Sequence, residues 1–535
     1  MKRLSLVLML LFSTVPLFAQ NNCGNAYWAN SLRCQIAGAA AIPQPNIATP
    51  PAVAADVKPF TRVFLMQDLS VRCLDGTRPV IYVDPAVSGN SNDWIISFTG
   101  GGGTHPLDTN ADGIPDDAQD AVDTYLTPSE ADEMGTSAKP AMKTLNGVNS
   151  ADAVLNPVFS DYNRVRVEKC SYDRYMGRTS WVAAGGFYAG LNGAAAINFN
   201  LYQQGALIIR EALEALGPGL AYTSWEVDAA GAVVATNEQL PPLVDAEKVL
   251  FIGHSGGAHG LFHNIDNIAA GLAAVPGFNG DVRALFDANF LPSLENEIAF
   301  DAVNPGVDDA YDQVITGTTV AANNTFTYDG AAHYPTAYIM EQAETWGAQL
   351  DSSCMTAHAA AGDDWKCIDR GHVLLNHIAT PFMFREDFSD PNMEHLNGGS
   401  EHTVYWGDED FYAHCPVGVA CLPILDAAEF RARLEEQFDA MLQYSQTDSE
   451  LATGADPSLG AGNFPTFYAW MPDCGTHAGA YNNESFFDTD MSYLAFTYNM
   501  NVWLQHFLAV GRTNLRGWRV DGWTSAGNTM TTTCP

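Results

Sequence analysis

A run of apolar residues leads directly into a glycine-flanked serine, and this junction constrains the fold more than any other part of the chain. VLFIG at 249–253 is short and fully apolar, which is typical of a buried strand, and 256–272 reads as a helix. Between them lies the G-x-S-x-G motif Gly253-His254-Ser255-Gly256-Gly257. A strand, a sharp turn and a helix in this order form the context of a nucleophile elbow, which lifts a serine hydroxyl above a sheet. The competing interpretation is a glycine-rich packing turn.

The rest of the chain has the alternation of strands and helices expected of an α/β fold. We predict a single α/β-hydrolase domain with a mostly parallel central sheet, helices on both faces, and loop or cap insertions. Acidic and small-residue stretches at 105–140, 303–330 and 345–370 are predicted to be surface loops or cap elements. Strands are predicted at 80–84, 94–98, 163–170, 249–253 and 380–387, and helices at 203–216 and 256–272.

The N-terminal residues have the layout of an export signal. Lys2 and Arg3 precede a mostly apolar run that is too short to span a bilayer, and the small residue Ala19 precedes a polar turn. We therefore expect a signal peptide at 1–19, a cysteine-containing segment with an Ala/Pro-rich linker at 20–60, and the catalytic domain at 61–535. The product would be secreted, either extracellular or periplasmic.

Cysteine content and charge fit an exported protein and limit its partners. The ten cysteines allow up to five disulfides, and short loops favour Cys23–Cys34, Cys354–Cys367 and Cys415–Cys421. The formal net charge is −37, from 62 acidic and 25 basic residues. Such a chain repels nucleic acid and anionic membranes, so neither is expected as a partner.

A second glycine-rich segment lies upstream of the serine. The predicted strand at 94–98 runs into Thr99 and four consecutive glycines at 100–103. Residues without side chains expose their N–H groups, and acyl-transfer enzymes need such donors to stabilise an oxyanion. A flexible linker is the alternative interpretation.

The order nucleophile, acid, histidine along the chain indicates where the partners of the serine lie. After the predicted strand at 380–387 the candidate acids are Glu386, Asp387 and Asp390. Pattern alone leaves His414 and His477 as close rivals for the base.

Several motifs together resemble the pectin acetylesterase and Notum-like family of α/β-hydrolases. The matching stretches keep the family's order from about Arg72 to Gly511. They are CLDGTRPVIYVD from Cys73, WIISFTGGGG from Trp94, NPVFSDYNRVRVEKC ending at Cys170, and GHSGGAHGLFHNID followed by VRALFDANF.

The resemblance implies roles for individual residues. Ser255 would be the nucleophile, Asp390 the acid and His477 the general base. The oxyanion donors would be the backbone N–H groups of Gly101, Gly102 and Gly256. A disulfide between Cys73 and Cys170 is implied as well.

One departure from the family pattern bears on the substrate. Plant members have Trp-Cys after the triple glycine, whereas this chain has Gly103-Thr104. A wider acyl pocket, together with the negative charge, leads us to expect neutral or lipophilic acyl esters rather than acetylated pectin as the better substrates.

An acidic segment after the glycine run has the oxygen spacing of a calcium loop. In DTNADGIPDDAQD at 108–120 the twelfth position is Gln119 instead of a bidentate acid, so a solvated acidic loop is an equal alternative. The candidate calcium ligands are Asp108, Asn110, Asp112, the Ile114 carbonyl and Asp116.

These features predict a secreted serine carboxylic-ester hydrolase with no organic cofactor, an ester as its substrate and no membrane span. The alternatives are a pectin or polysaccharide acetylesterase, an amidase or acyltransferase with the same residues, and a non-catalytic binding module.

Overall fold

The computed structural model describes a little over half of the chain. The described residues are 51–101, 135–183, 199–290, 346–390, 431–438, 467–509 and 517–535, with short gaps inside these ranges, and two isolated strands at 326–328 and 331–333. The predicted signal peptide, residues 20–50 of the predicted N-terminal segment and the candidate calcium loop lie outside them, as do Cys23, Cys34, Cys415 and Cys421.

A 10-stranded sheet forms the centre of the molecule. Its strand order is β18-β15-β14-β11-β10-β3-β5-β2-β1-β4. The strands from β18 to β5 run parallel, and β2, β1 and β4 extend the sheet in antiparallel fashion. The strand bounds are β1 Phe60–Phe64, β2 Val80–Asp84, β3 Asp93–Phe98, β4 Met142–Lys143, β5 Asn163–Val167, β10 Lys248–His254, β11 Asp281–Asp287, β14 Phe382–Arg385, β15 Phe467–Met471 and β18 Gly517–Val520.

Smaller β elements decorate this sheet. They pair within themselves as antiparallel ribbons, apart from one three-stranded sheet of order β17-β16-β21. Their bounds are β6 Thr179–Ala183, β7 Phe199–Gln203, β8 Leu220–Val227, β9 Val233–Leu240, β12 Phe326–Tyr328, β13 Ala331–His333, β16 Asp490–Tyr493, β17 Phe496–Asn499, β19 Thr524–Ser525, β20 Asn528–Thr529 and β21 Thr531–Thr533.

Helices cover both faces of the central sheet. Alternate residues of β10 point to opposite faces, as the period of two of a strand requires. Val249 and Phe251 join the core that contains the first two helices, whereas Leu250 and Ile252 join the core that contains the last helix. The bounds are α1 Gly205–Leu216, α2 Gly256–Ala273, α3 Ser352–His358, α4 Arg370–Asn376, α5 Asn483–Phe487 and α6 Met500–Ala509, with short 3-10 helices at Ala54–Asp56, Gly147–Asn149, Phe159–Asp161, Leu243–Asp245 and Asp364–Cys367.

The predicted fold class is confirmed, with one correction to the insertions. Every strand and helix named from the sequence is present within a few residues of its predicted bounds. The segment 345–370, however, is not simply a surface loop. Trp346, Cys354 and Cys367 are buried in its described part. The two cysteines form a disulfide that joins α3 to the Asp364–Cys367 turn, and both belong to the main core.

The parallel part of the sheet decides where a site can form. β3, β10, β14 and β15 lie in one parallel set, so their carboxyl ends meet at the same edge. Ligands of open α/β sheets bind outside this edge. The predicted oxyanion loop, nucleophile, acid and histidine follow these four strands in turn.

Candidate active site

Ser255 occupies a strained position between β10 and α2. Its backbone has φ 50° and ψ −124°, a positive φ that is uncommon for a residue with a side chain. The Ser255 N–H donates to the carbonyl oxygen of Asp287 at 2.8 Å, which fixes the turn against β11. Glycine is required two residues before Ser255, because a Cβ on Gly253 would lie 2.5 Å from the Cα of Ala258. Ser255 is partly exposed, as a nucleophile must be.

The glycine run after β3 is packed directly against this turn. A Cβ on Gly256 would lie 2.1 Å from the carbonyl oxygen of Gly101, and one on Gly100 would lie 2.8 Å from the Cβ of Ser255. Gly101 itself has φ 131° and is partly exposed. Gly256 is the first residue of α2, where backbone N–H groups have no acceptor within the helix and negative charge is favoured. Two of the three predicted oxyanion residues therefore lie together beside the serine, and Gly102 lies outside the described residues.

His477 and Asp390 form a directly bonded pair. The Nδ1 atom of His477 lies 2.9 Å from Oδ1 and 2.8 Å from Oδ2 of Asp390. Asp390 is fully buried, whereas 17% of the His477 side chain is exposed. A carboxylate on Nδ1 holds the proton there and leaves Nε2 as the basic nitrogen. Of the two rival histidines, His477 is thus bonded to a candidate acid, and His414 lies outside the described residues.

Asp387, the neighbouring candidate acid, organises the loop that carries His477. Its Oδ1 accepts from the backbone N–H groups of Cys474 at 2.9 Å and Gly475 at 3.1 Å, and its Oδ2 accepts from Thr476 at 3.2 Å. Arg385 donates to the same carboxylate at 3.1 Å. Asp387 is therefore occupied with backbone donors and does not bind the imidazole.

Glu386, the third candidate acid, is a buried partner of Asp390. Burial and the nearby charge of Asp390 raise the pKa of Glu386 well above its usual value, so the group is protonated and its hydroxyl donates to Asp390. The other oxygen, Oε2, accepts from the backbone N–H of Phe290 at 2.8 Å. Burial alone would raise the pKa of Asp390, but its bonds to His477 and Glu386 and the charge of Arg385 hold that pKa below the ordinary range. Asp390 is consequently a carboxylate although it is fully buried.

A second histidine connects the elbow to the His477 loop. His254, directly before Ser255, has its ring centroid 5.0 Å from that of His477, and its Nδ1 lies 3.4 Å from Asp287. Burial lowers the pKa of His254, so its ring is neutral. The Asp287 carboxylate also accepts from the backbone N–H of Ala480 at 2.9 Å. The elbow and the histidine loop therefore meet through one buried carboxylate that the sequence analysis did not single out.

Three disulfides are present among the described residues. Cys73 is bonded to Cys170 across the antiparallel side of the sheet, the pair that the family resemblance implies. Cys354 is bonded to Cys367, the short-loop pair expected from the sequence. Cys474 is bonded to Cys534, which ties the His477 loop to the end of the chain.

The predicted calcium ligands Asp108, Asn110, Asp112, Ile114 and Asp116 lie outside the described residues, and so does Gly103. Calcium at this loop stays a prediction.

Comparisons with known proteins agree with this geometry. The sequence profile of the pectinacetylesterase family matches residues 54–222. The family resemblance is confirmed. The matched segment contains Gly101, Cys73 and Cys170 and ends before the elbow. No curated protein matches the chain in a sequence search.

Two solved structures are similar to this chain. A crystal structure of the Wnt deacylase Notum from Drosophila superposes with a TM-score of 0.51 at 14% identity, over 86% of this chain and 96% of that chain. A second crystal form of the Drosophila Notum superposes with a TM-score of 0.48 at 15% identity, over 80% and 87% of the two chains. The first likeness shows an α/β-hydrolase fold.

The family match over residues 54–222 supports an esterase-type hydrolase that acts on an ester substrate. The disulfides are consistent with an exported protein. Within the described part of the chain, no helix has the length and apolar character needed to cross a membrane.

Proposed function

We propose that this chain is a secreted serine carboxylic-ester hydrolase that acts through Ser255, His477 and Asp390 on neutral or lipophilic acyl esters. The observation that carries the proposal is the double contact between His477 Nδ1 and the buried Asp390 carboxylate, at the sheet edge where Ser255 is strained into a positive φ. A buried ionised acid, an imidazole and a serine on an elbow are the parts of a catalytic triad.

Acylation begins at the serine hydroxyl. Ser255 Oγ attacks the ester carbonyl carbon while His477 Nε2 takes the hydroxyl proton, and Asp390 stabilises the imidazolium that forms. The carbonyl oxygen becomes an oxyanion that accepts hydrogen bonds from the N–H of Gly256 and from the glycine run at Gly101 and Gly102. When the tetrahedral intermediate collapses, His477 returns the proton to the leaving alcohol, and the acyl group remains on Ser255.

Deacylation repeats these steps with water. His477 removes a proton from a water molecule, which attacks the acyl carbonyl, and the same donors stabilise the second oxyanion. The acid then leaves, and Ser255 recovers its proton from His477. Because Asp390 must stay ionised throughout, the hydrogen bond from protonated Glu386 and the nearby Arg385 contribute directly to this cycle.

The net charge and the residue type at position 103 favour uncharged substrates. Polygalacturonate is a polyanion, and a chain with net charge −37 repels it over the Debye length, about 8 Å at physiological ionic strength. Plant members of the family have tryptophan where this chain has Gly103, and we expect the smaller residue to widen the acyl side of the pocket. We therefore expect short to medium acyl chains on neutral alcohols.

Deacetylation of pectin is the second candidate function. The match of the pectinacetylesterase profile to 54–222 favours it. Turnover efficiency on acetylated pectin and on uncharged acyl esters, each at low and high salt, separates the two. Higher efficiency on pectin at low salt would contradict the preference for neutral esters and favour the family reaction.

The serine mechanism is tested by a matched pair of variants. Ser255→Ala should lower turnover by about 10⁴-fold or more, because no other group supplies the nucleophile. Ser70→Ala is the control, since Ser70 is exposed and bonds only to the nearby Asp68 among its described contacts. It should leave turnover unchanged. Ester hydrolysis by Ser255→Ala at more than a few per cent of the wild-type rate would exclude the proposed nucleophile.

A further inference from the structure

Three buried histidines meet at and just beyond the end of the segment 345–370, which the sequence analysis assigned to a surface loop or cap element. His358 ends α3, His372 lies in α4 and His377 directly follows α4. Their exposed fractions are 5%, 3% and 1%, so the imidazoles have been removed from water together. The Cys354–Cys367 disulfide joins the segments on which they lie.

The ring nitrogens converge on one point. His372 Nε2 lies 3.0 Å from His358 Nε2 and 3.3 Å from His377 Nε2. Four ligands arranged tetrahedrally around Zn²⁺ at about 2.0–2.1 Å have their nitrogens about 3.3 Å apart. Two edges of the triangle of nitrogens therefore match the edges of a tetrahedral zinc site, and all three nitrogens lie within 4.8 Å of one another.

Hydrogen bonding accounts less well for this convergence. A ring nitrogen that carries a proton donates, and one that lacks it accepts. His372 Nε2 has either one proton or one lone pair, so it can form a full hydrogen bond with only one of its two neighbouring nitrogens. A metal ion at the centre takes one lone pair from each of the three rings.

The outer side of His377 is arranged as a metal site requires, whereas at His372 the amide of Asn376, whose nitrogen lies 3.3 Å from Nδ1, has to present its oxygen instead. A histidine that binds metal through Nε2 carries its proton on Nδ1 and normally donates it to an oriented acceptor. His377 Nδ1 lies 2.9 Å from Ser353 Oγ, and that hydroxyl donates to Asp351 Oδ1 at 2.7 Å. Asp351 also accepts from the backbone N–H of Cys354 at 3.0 Å, so the chain from carboxylate to imidazole is held in place.

We propose that His358, His372 and His377 bind a divalent transition-metal ion, Zn²⁺ by preference, through their Nε2 atoms. The sulfur of Cys354 lies near the three nitrogens but is engaged in the disulfide with Cys367, so it does not act as a thiolate ligand. A water molecule completes the tetrahedron. Imidazole donors favour zinc and its neighbours over calcium, which takes oxygen ligands.

The metal has a structural role in this position. The backbone N–H groups of Ala379 and Thr380, just beyond His377, donate to Asp266 of α2 at 2.7 and 2.9 Å. α2 is the helix that begins at the nucleophile elbow. The ion thus cross-links α3 and α4 and braces them against this helix, and it takes no part in ester cleavage.

Metal analysis of the purified full-length protein tests the site directly. After incubation with Zn²⁺ in the presence of excess Ca²⁺ and then desalting, the wild type should retain about one zinc per chain that phenanthroline removes. The nitrogen ligands of phenanthroline take up zinc and hardly bind calcium, and excess Ca²⁺ occupies oxygen-rich sites, so the candidate loop at 108–120 does not enter this readout. Cobalt in place of zinc should give the intense visible absorption of a tetrahedral ion, and thermal unfolding should shift upward on metal binding.

Variants separate specific ligation from adventitious binding. His377→Ala and His358→Ala should lose the retained zinc and the cobalt spectrum, and Ser353→Ala should weaken zinc binding by about 10-fold to 100-fold. His506→Ala is the matched control, because His506 is an exposed histidine on α6, and it should retain the metal. Should a ligand variant fail to fold, the wild-type measurements decide. A wild type that keeps no zinc after desalting, or cobalt that binds with an octahedral spectrum, would overturn the proposal.

Discussion

Two groups of histidines in this molecule show how neighbours determine what an imidazole can do. His477 is partly exposed, and a buried carboxylate binds its Nδ1, which leaves its other nitrogen available to a substrate. His358, His372 and His377 are buried, and their Nε2 atoms point at one another. One arrangement is suited to moving protons and the other to holding a metal ion.

The comparison shows that the role of a histidine depends on its burial and on the partner of its second ring nitrogen. At the sheet edge the partner of Nδ1 is the carboxylate itself, whose negative charge stabilises an imidazolium. In the cluster the partner of His377 Nδ1 is the Ser353 hydroxyl, which fixes the ring without charging it. We expect the two sites to respond to mutation independently.

The largest expected effect is that His477→Ala and His377→Ala act oppositely on ester turnover and on zinc content. His477→Ala should lower ester turnover by about 10⁴-fold while it leaves bound zinc unchanged, because it removes the general base alone. His377→Ala should do the reverse, with loss of zinc and turnover within a few-fold of wild type. Turnover and zinc content of both purified variants check this.

A His377→Ala variant that folds but lacks turnover would show that the two sites are not independent. A His477→Ala variant with near wild-type turnover would favour His414 as the general base.

The two disulfides beside these sites should differ in their effect on stability. Cys474–Cys534 closes a sequence separation of 60 residues beside His477, and Cys354–Cys367 closes one of 13 beside the cluster. Loop entropy then predicts that loss of the first costs about 4 kcal/mol and loss of the second about 3 kcal/mol. Urea unfolding of the two double Cys→Ser variants measures both values, and the reverse ranking would show that strain or unfolded-state structure outweighs loop length.

The smallest expected effect comes from Glu386→Gln. Glutamine keeps a hydrogen-bond donor toward Asp390, so turnover at neutral pH should stay within a few-fold of wild type, whereas Glu386→Ala should lower it more. In the wild type the pKa of Glu386 is raised on folding by burial and by Asp390. The folded state therefore holds a proton that the unfolded state releases above its ordinary pKa of about 4.3.

Glu386 consequently contributes less to the free energy of unfolding as the pH rises above about 4.3. Glu386→Gln should flatten the decline of the unfolding free energy with rising pH, measured by urea unfolding at several pH values. An unchanged decline would mean that Glu386 is ionised in the folded enzyme.

Much of the fold and of the candidate site follows from local sequence pattern. The apolar run of β10, the glycines around Ser255 and the glycine run after β3 predict strands, an elbow and an oxyanion loop, because close backbone approach tolerates only glycine there. The choice among Glu386, Asp387 and Asp390 does not follow from pattern. It depends on contacts with residues almost ninety positions away, such as Thr476 and His477.

The histidine cluster escaped the sequence analysis for a similar reason. His372 and His377 have the H-x4-H spacing of zinc ligands, but His358 lies 14 residues before His372, so the three residues form no complete local motif. They converge because a disulfide and the start of α4 at the Asp369 cap fold the segment back on itself. The available signals were the spacing of His372 and His377 and the two cysteines, 354 and 367, on either side of His358.

The most direct test of the account is to locate a covalent adduct on the enzyme. A serine-reactive fluorophosphonate should label the wild type once, and peptide mapping by mass spectrometry should find the label on Ser255. His477→Ala should label much more slowly, His377→Ala at the wild-type rate, and Ser255→Ala not at all. A label on any other residue, or equal labelling of the wild type and Ser255→Ala, would contradict the assignment of Ser255 as the nucleophile.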